Sequence, residues 1–208
     1  MDNIISTYFT DLTNIQKKQF SAISELYGFW NAQINVVSRK NMCDFNERHV
    51  LHSLGIAKIM NFEDGTKVLD VGTGGGFPGV PLAILFPKVE FFLVDSIGKK
   101  IKVVRAVAKE LGLKNVKIAH ERAENINDKF DFVVSRAVTR MPAFLKLIED
   151  KFYQDCNNTF ANGVLYLKGG DLTEEMSQVK YHYNLFNLSD YFSQDFFETK
   201  KVVYVQMV

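Results

Sequence analysis

Val68-Leu-Asp-Val-Gly-Thr-Gly-Gly-Gly-Phe-Pro-Gly79 reads as an apolar strand, a glycine-rich turn and a helix opened by Pro78. Proline is tolerated at the first helical position because the N–H it lacks has no intrahelical acceptor there. Gly72, Gly74, Gly75 and Gly76 leave the backbone bare, so a ligand can approach it closely. In open α/β sheets ligands bind beyond the carboxyl ends of the strands, which places this loop at a site. The same alternation continues around it. Strands are expected at Lys67–Val71, Val89–Asp95, Asn115–Ala119, Phe130–Ser135, Val164–Lys168, Tyr183–Leu188 and Val202–Met207. Helices are expected at Pro78–Leu85, Ile97–Leu111, Met141–Phe152 and Leu172–Tyr181, with a short one around Glu121–Ile126, and Gly112 stands where a helix C-cap needs positive φ. Strand–helix alternation implies a parallel sheet with right-handed crossovers. Only Ser189–Lys201 joins the last two strands, so these should pair antiparallel at or near an edge.

Upstream, the first sixty residues read as helices. Phe20, Ile23, Tyr27, Trp30 and Ile34 recur at the spacing of one helical face, and Thr13 with Gln16 forms a capping-box pattern. A second helix is expected from Asp44, with Val50, Leu51 and Leu54 inward, after the connection Asn35–Lys40. Residues 1–60 are thus a helical extension packed on a core of 61–208. The whole has 208 residues, 47% of them apolar, and two distant cysteines, Cys43 and Cys156. That suffices for one core and argues against disulfide or zinc-ribbon scaffolds. The polar, acidic start and the absence of a long apolar run point to a soluble, cytoplasmic protein without a signal peptide or membrane span. Net charge is only +1, but seven basic residues against one acid lie between Ile97 and Lys117, and six acids against one lysine between Asp171 and Glu198. A local positive field remains, able to engage phosphates. Ser38-Arg39-Lys40 and the Lys99–Lys109 face are the candidates.

The loop's ligand is read from its acids. Gly74-x-Gly76-x-x-Gly79 satisfies the dinucleotide fingerprint, with Asp95 about twenty residues on. However, Asp70 precedes the first glycine, and a carboxylate there opposes a pyrophosphate while favouring an ammonium or sulfonium; S-adenosylmethionine carries both. The run from Gly72 also gives Asp-x-Gly-x-Gly-x-Gly, the pattern methyltransferases use. Asp95, ending the second strand, accepts ribose hydroxyls under either alternative and leaves a nicotinamide enzyme open. Ala123 and Glu124, after the third strand, are placed to flank an adenine. Arg136, after Phe132-Val-Val-Ser, is expected to face the cleft.

The fourth strand ends in Ser135-Arg-Ala-Val, with neither an Asn/Asp-Pro-Pro-Tyr amine site nor a nearby cysteine nucleophile. Among methyl acceptors this leaves an atom already nucleophilic, such as guanine N7, whose lone pair needs no general base; catalysis is then positioning. Arg136 or Arg140 is suited to orient guanine through O6. His49 and His52 lie three apart on one helical face, but no third ligand accompanies them, so packing roles are expected rather than metal.

Leu69–Pro81, Arg122-Ala-Glu124 and Ser135-Arg-Ala137, with Trp30-Asn31, Ile34-Asn35, Arg48–Leu54 and Leu165–Gly169, resemble the RsmG (glucose-inhibited division protein B) family. Its members methylate N7 of a guanine in small-subunit ribosomal RNA. The resemblance implies a Rossmann-like class I methyltransferase: α/β, a seven-stranded, mostly parallel sheet with an antiparallel last strand, plus the helical extension. It implies S-adenosyl-L-methionine as cofactor, held by Gly72, Phe77, Ala123, Glu124 and Arg136 beside the residue-based candidates Asp70, Gly74 and Asp95. The implied partner is 16S ribosomal RNA or the small-subunit particle, met by a monomer. His52 stands where the family commonly has Asp. The rivals are a small-molecule or protein methyltransferase and a non-catalytic RNA-binding module, the latter disfavoured by an intact glycine loop.

Overall fold

The computed structural model describes residues 4–36 and 42–208. Seven strands form one sheet: β1 (Lys67–Val71), β2 (Glu90–Asp95), β3 (Val116–His120), β4 (Phe132–Arg136), β5 (Gly163–Gly169), β6 (Tyr183–Asn187) and β7 (Lys200–Gln206). Their order is β3-β2-β1-β4-β5-β7-β6. The first five pair in parallel, and β7 lies antiparallel between β5 and β6. The antiparallel edge pair is as expected. Strand order reverses beside β1 and β4, so their carboxyl ends open the crevice where such sheets bind ligands.

Alternate residues of each strand feed two cores. Val68, Phe91, Leu93, Phe132 and Val134 pack on one face, Leu69, Phe92, Val94, Val133 and Tyr166 on the other. The first face carries α1 (Ile4–Tyr8), α2 (Asn14–Gln33), α3 (His52–Leu54), α4 (Ile56–Ile59), α5 (Gly79–Leu85) and α6 (Gly98–Glu110). The second carries α7 (Met141–Ile148) and α8 (Thr173–Met176).

The Thr13–Gln16 capping box forms at the start of α2. Gln16 does more than cap: its Nε2 donates to Ile84 O (3.1 Å) and Leu85 O (2.9 Å), stitching the helical layer to the end of α5. Gln16→Ala should lower the unfolding free energy by about 2 kcal/mol, since it strands buried carbonyls and opens a cap. The exposed Lys17→Ala should change it by less than about 0.5 kcal/mol in the same denaturant titration.

Three expected helices differ. The one near Asp44 opens as a π-helical turn over Asn46–Leu51 before α3. α7 stops at Ile148 because Lys151 O accepts from Phe130 N and Tyr153 N donates to Phe130 O, drawing 151–153 into a bridge beside β4. α8 is a single turn: Ser177 Oγ and Gln178 Nε2 both donate to Glu174 O, side chains competing for the carbonyls a longer helix needs. Pro78 is the N-cap of α5 rather than its first residue. Cys43 and Cys156 are free and exposed. Among the described residues no helix is long and apolar enough to cross a membrane.

Candidate active site

Gly72, Gly74 and Gly76 take φ of +66°, +57° and +97°, the left-handed region that glycine enters without strain. Asp70 shapes this loop from beneath. Its Oδ2 accepts from Thr73 Oγ1 (2.6 Å) and from Gly79 N (2.8 Å), while Oδ1 is buried without a hydrogen-bond partner among the described residues. A Cβ at Gly79 would lie 2.6 Å from that Oδ2, which explains the glycine. Burial pushes the Asp70 carboxyl up to about 7 against the opposing pull of Thr73, Gly79 and Arg136. The expectation of a carboxylate facing the ligand is therefore corrected: Asp70 is fully buried and bonded to the loop itself. Asp95 works from the other side, its Oδ2 accepting from Gly74 N and its Oδ1 from Ile97 N, both at 2.8 Å.

Two clefts open at this end of the sheet. The first, about 390 Å³, is lined by Gly72, Asp95, Lys100, Ala123, Glu124 and Val138, among others. Ala123 opens a short 3-10 turn that sets it and Glu124 beside the β2 end. The second, about 500 Å³, lies over the β4 and β5 ends, with Arg48, His52, Arg136, Lys168, Phe196 and Lys200 in its walls. Ala137 borders both, at φ +56°, a conformation that costs a non-glycine residue energy. Tyr166 holds it there: the phenol oxygen accepts from Val138 N (2.8 Å) and Thr139 N (3.0 Å) and donates to Thr139 O (3.0 Å). Another cavity of about 270 Å³, around Lys67, Phe92, Lys117 and Tyr153, lies at the amino ends of the strands, the wrong end for this site.

Arg136 is half-buried where the sheet meets the helical layer. It donates from Nη1 to Arg48 O (3.2 Å) and from Nη2 to His49 Nδ1 (2.9 Å), and its guanidinium lies 5.2 Å from the Phe77 ring centre. Burial lowers it to about 10, so it stays cationic at neutral pH. Burial, then Arg136 and Arg48, push His49 down to about 3; it is the neutral acceptor this bond requires. His52 is held well below its usual value by burial and packs edge-on against Phe196.

Of the expected residues, Gly72, Asp95, Ala123 and Glu124 line the first cleft, and Arg136 the second. Gly74 reaches Asp95 through its N–H. The Phe77 ring lines neither cleft: it lies 4.9 Å from Tyr27 and 5.2 Å from His49 in a buried aromatic cluster. Arg140 turns outward to Glu174 (3.1 Å) and lines neither. Sequence reasoning passed over Val138 and Tyr166, which only the strained turn after β4 makes prominent. The connection 190–201 is a packed wall, tied by Tyr8 to Ser193 (2.8 Å) and contributing Phe196 and Lys200 to the second cleft. Ser38, Arg39 and Lys40 lie outside the described residues, whereas Lys99, Lys102, Arg105 and Lys109 are exposed along α6.

The positive-φ glycine cradle and a strand-end acid at each side suit a small cofactor bound across the β1 and β2 ends. A methyltransferase from Aquifex aeolicus, described as SAM dependent, shares the fold: TM-score 0.56, 16% identity, covering 75% of this chain and 89% of that one. The likeness is one of fold: a seven-stranded α/β sheet of the class I methyltransferase type. The sequence is 57% identical to a ribosomal RNA small subunit methyltransferase G of Flavobacterium psychrophilum (100% of this chain, 98% of that one). It is 54% identical to that of Cytophaga hutchinsonii (97% and 98%). The chain belongs to the GidB family, described as rRNA small subunit methyltransferase G, which matches residues 16–203.

Proposed function

We infer that this protein transfers the methyl group of S-adenosylmethionine to N7 of a guanine in 16S ribosomal RNA, acting as a monomer in the cytoplasm on the RNA or the small-subunit particle. The observation that carries this is the family match, which spans every strand's contribution to the two clefts. When bound, the cofactor supplies an electrophilic methyl on a sulfonium. Gly72 lines the cleft proposed to hold it and lets Val138 pack close: a Cβ there would lie 2.4 Å from Val138 Cγ2. Asp95 has lone pairs left for ribose hydroxyls, and Ala123 and Glu124 flank the adenine. Asp70 and the Gly74 N–H act through the loop's shape. The acceptor base enters the second cleft, where Arg136, fixed by His49, orients guanine O6 so that N7 faces the methyl across Ala137. Guanine N7 carries its lone pair at neutral pH, so no side chain need remove a proton; the chain aligns and excludes water. Phe77 supports Arg136 from behind rather than touching cofactor. Within residues 1–60, the helices of the described segments 4–36 and 42–60 form a layer over the 61–208 methyltransferase domain.

Labelled S-adenosylmethionine should modify naked 16S RNA or assembled small subunits, with the label recovered as 7-methylguanine. Cofactor binding without transfer to either substrate overturns the assignment. The exposed lysines of α6 supply phosphate contacts. Lys102→Glu combined with Lys109→Glu should raise KM for RNA about tenfold and flatten its salt dependence. Affinity for S-adenosylhomocysteine should stay unchanged, because neither residue lines the cofactor cleft.

A further inference from the structure

The glycine loop is held from three directions, and one of them lies outside the nucleotide-binding half of the molecule. Asp70 meets it from below, Asp95 from the β2 side. From above comes α2: Tyr27, fully buried, donates its hydroxyl to Gly75 O at 2.5 Å. At Gly76 a Cβ would lie 2.8 Å from that hydroxyl oxygen, so the phenol occupies the space a side chain would need. The Tyr27 ring is fixed against Phe77 (4.9 Å) and Phe45 (5.2 Å). α2 is itself anchored, by Gln16 to the end of α5 and by Gln19 Nε2 to Leu111 O (2.8 Å) at the end of α6. Where α2 ends, Asn31 Oδ1 accepts from Val36 N (2.9 Å), and Val36 Cβ lies 3.3 Å from where a Gly75 Cβ would stand.

We propose that Tyr27 is a positioning residue for S-adenosylmethionine, fixing the Gly74–Gly76 turn from the helical layer so that cofactor affinity depends on a hydroxyl that never touches the cofactor. The proposal rests on the methyltransferase assignment above. Burial pushes the phenol's pKa up, so it remains a donor at every working pH. A loop whose peptide planes are preset spends none of the binding free energy on ordering itself. Without the hydroxyl, Gly75 O is left buried beside an apolar ring and the turn is free to rotate away. The same layer presents Arg48 O and His49 to Arg136, so it grips the loops after both β1 and β4.

Tyr27→Phe keeps the ring and removes only the hydroxyl. Calorimetry with S-adenosylhomocysteine should show about tenfold weaker binding, and KM for S-adenosylmethionine should rise by the same factor, with kcat and KM for RNA within twofold of the parent protein. Phe45→Leu loosens the same aromatic cluster without touching the hydroxyl; it should lower the melting temperature and leave affinity within twofold. Equal affinities in Tyr27→Phe and the parent, or an equal loss in Phe45→Leu, overturns the proposal alone. Failure of the parent protein to bind S-adenosylhomocysteine overturns the methyltransferase assignment, and this proposal with it.

Discussion

Replacing Asp95 with alanine should weaken S-adenosylhomocysteine binding on the order of a hundredfold, the largest loss expected from a single side chain in the first cleft. Both carboxylate oxygens are committed to backbone: Gly74 N on the glycine loop and Ile97 N just before α6, each at 2.8 Å. Alanine releases both and also removes the acceptors offered to the ribose. Hydrogen bonds to a charged group each contribute about 1.5–3 kcal/mol, and a net loss of about 2.7 kcal/mol corresponds to a factor of about a hundred. Asp95→Asn, which keeps one acceptor and turns an amide toward the other N–H, should lose about tenfold. Calorimetric titration of folded protein gives both numbers. An alanine variant that binds within threefold of the parent means that neither the loop nor the ribose relies on this carboxylate.

The second prediction concerns acid. Between pH 6.5 and 5, Asp70→Asn should lose stability about twice as steeply as the parent. The signs differ between the groups. Asp70 has its folded pKa raised to about 7 by burial, so its contribution is fully present below its unfolded value and is lost as pH rises toward 7. His49, pushed down to about 3, and His52, also depressed, contribute stability that is present above their unfolded value of 6.5 and is lost as pH falls. In the parent the aspartate offsets roughly half the histidine effect. One proton of difference is about 1.4 kcal/mol per pH unit, which gives a fall of about 1.5 kcal/mol in the parent and about 3 kcal/mol in the variant. Denaturant midpoints across this range decide it. Equal slopes would show that Asp70 is ionised in the folded protein at pH 5, contrary to its burial and its unpartnered Oδ1. Asparagine suits the test because its carbonyl can still accept from Thr73 and Gly79.

The sheet was readable because its strands are near-continuous apolar runs separated by helix-length segments, and because the connection from β6 to β7 is too short and irregular for a crossover α-helix. The insertion of β7 between β5 and β6 was not readable, since pairing order between distant segments leaves no mark in local periodicity. The same division holds at the site. Asp95 ends β2, and Gly72, Ala123 and Glu124 lie in loops that follow strand ends, so their place follows from the topology. The enclosure of the Phe77 ring could not be read from its own loop, because Tyr27, Phe45 and His49 arrive from elements far upstream to surround it. Arg136 and Arg140, four residues apart, were both candidates to orient the base. What separates them is partners remote in sequence, His49 behind one and Glu174 outside the other. The π-helical turn that delivers His49 has no pattern of its own to read.

The placement of β7 has a consequence during synthesis. The ribosome makes β6 before the strand that joins it to β5, so a nascent chain that has emerged only as far as Thr199 holds β6 with no neighbour and leaves the flank of β5 bare. Bare strand flanks are templates for adhesion between chains. Until Lys200–Gln206 slots into place as a keystone, both flanks stay open to such pairing.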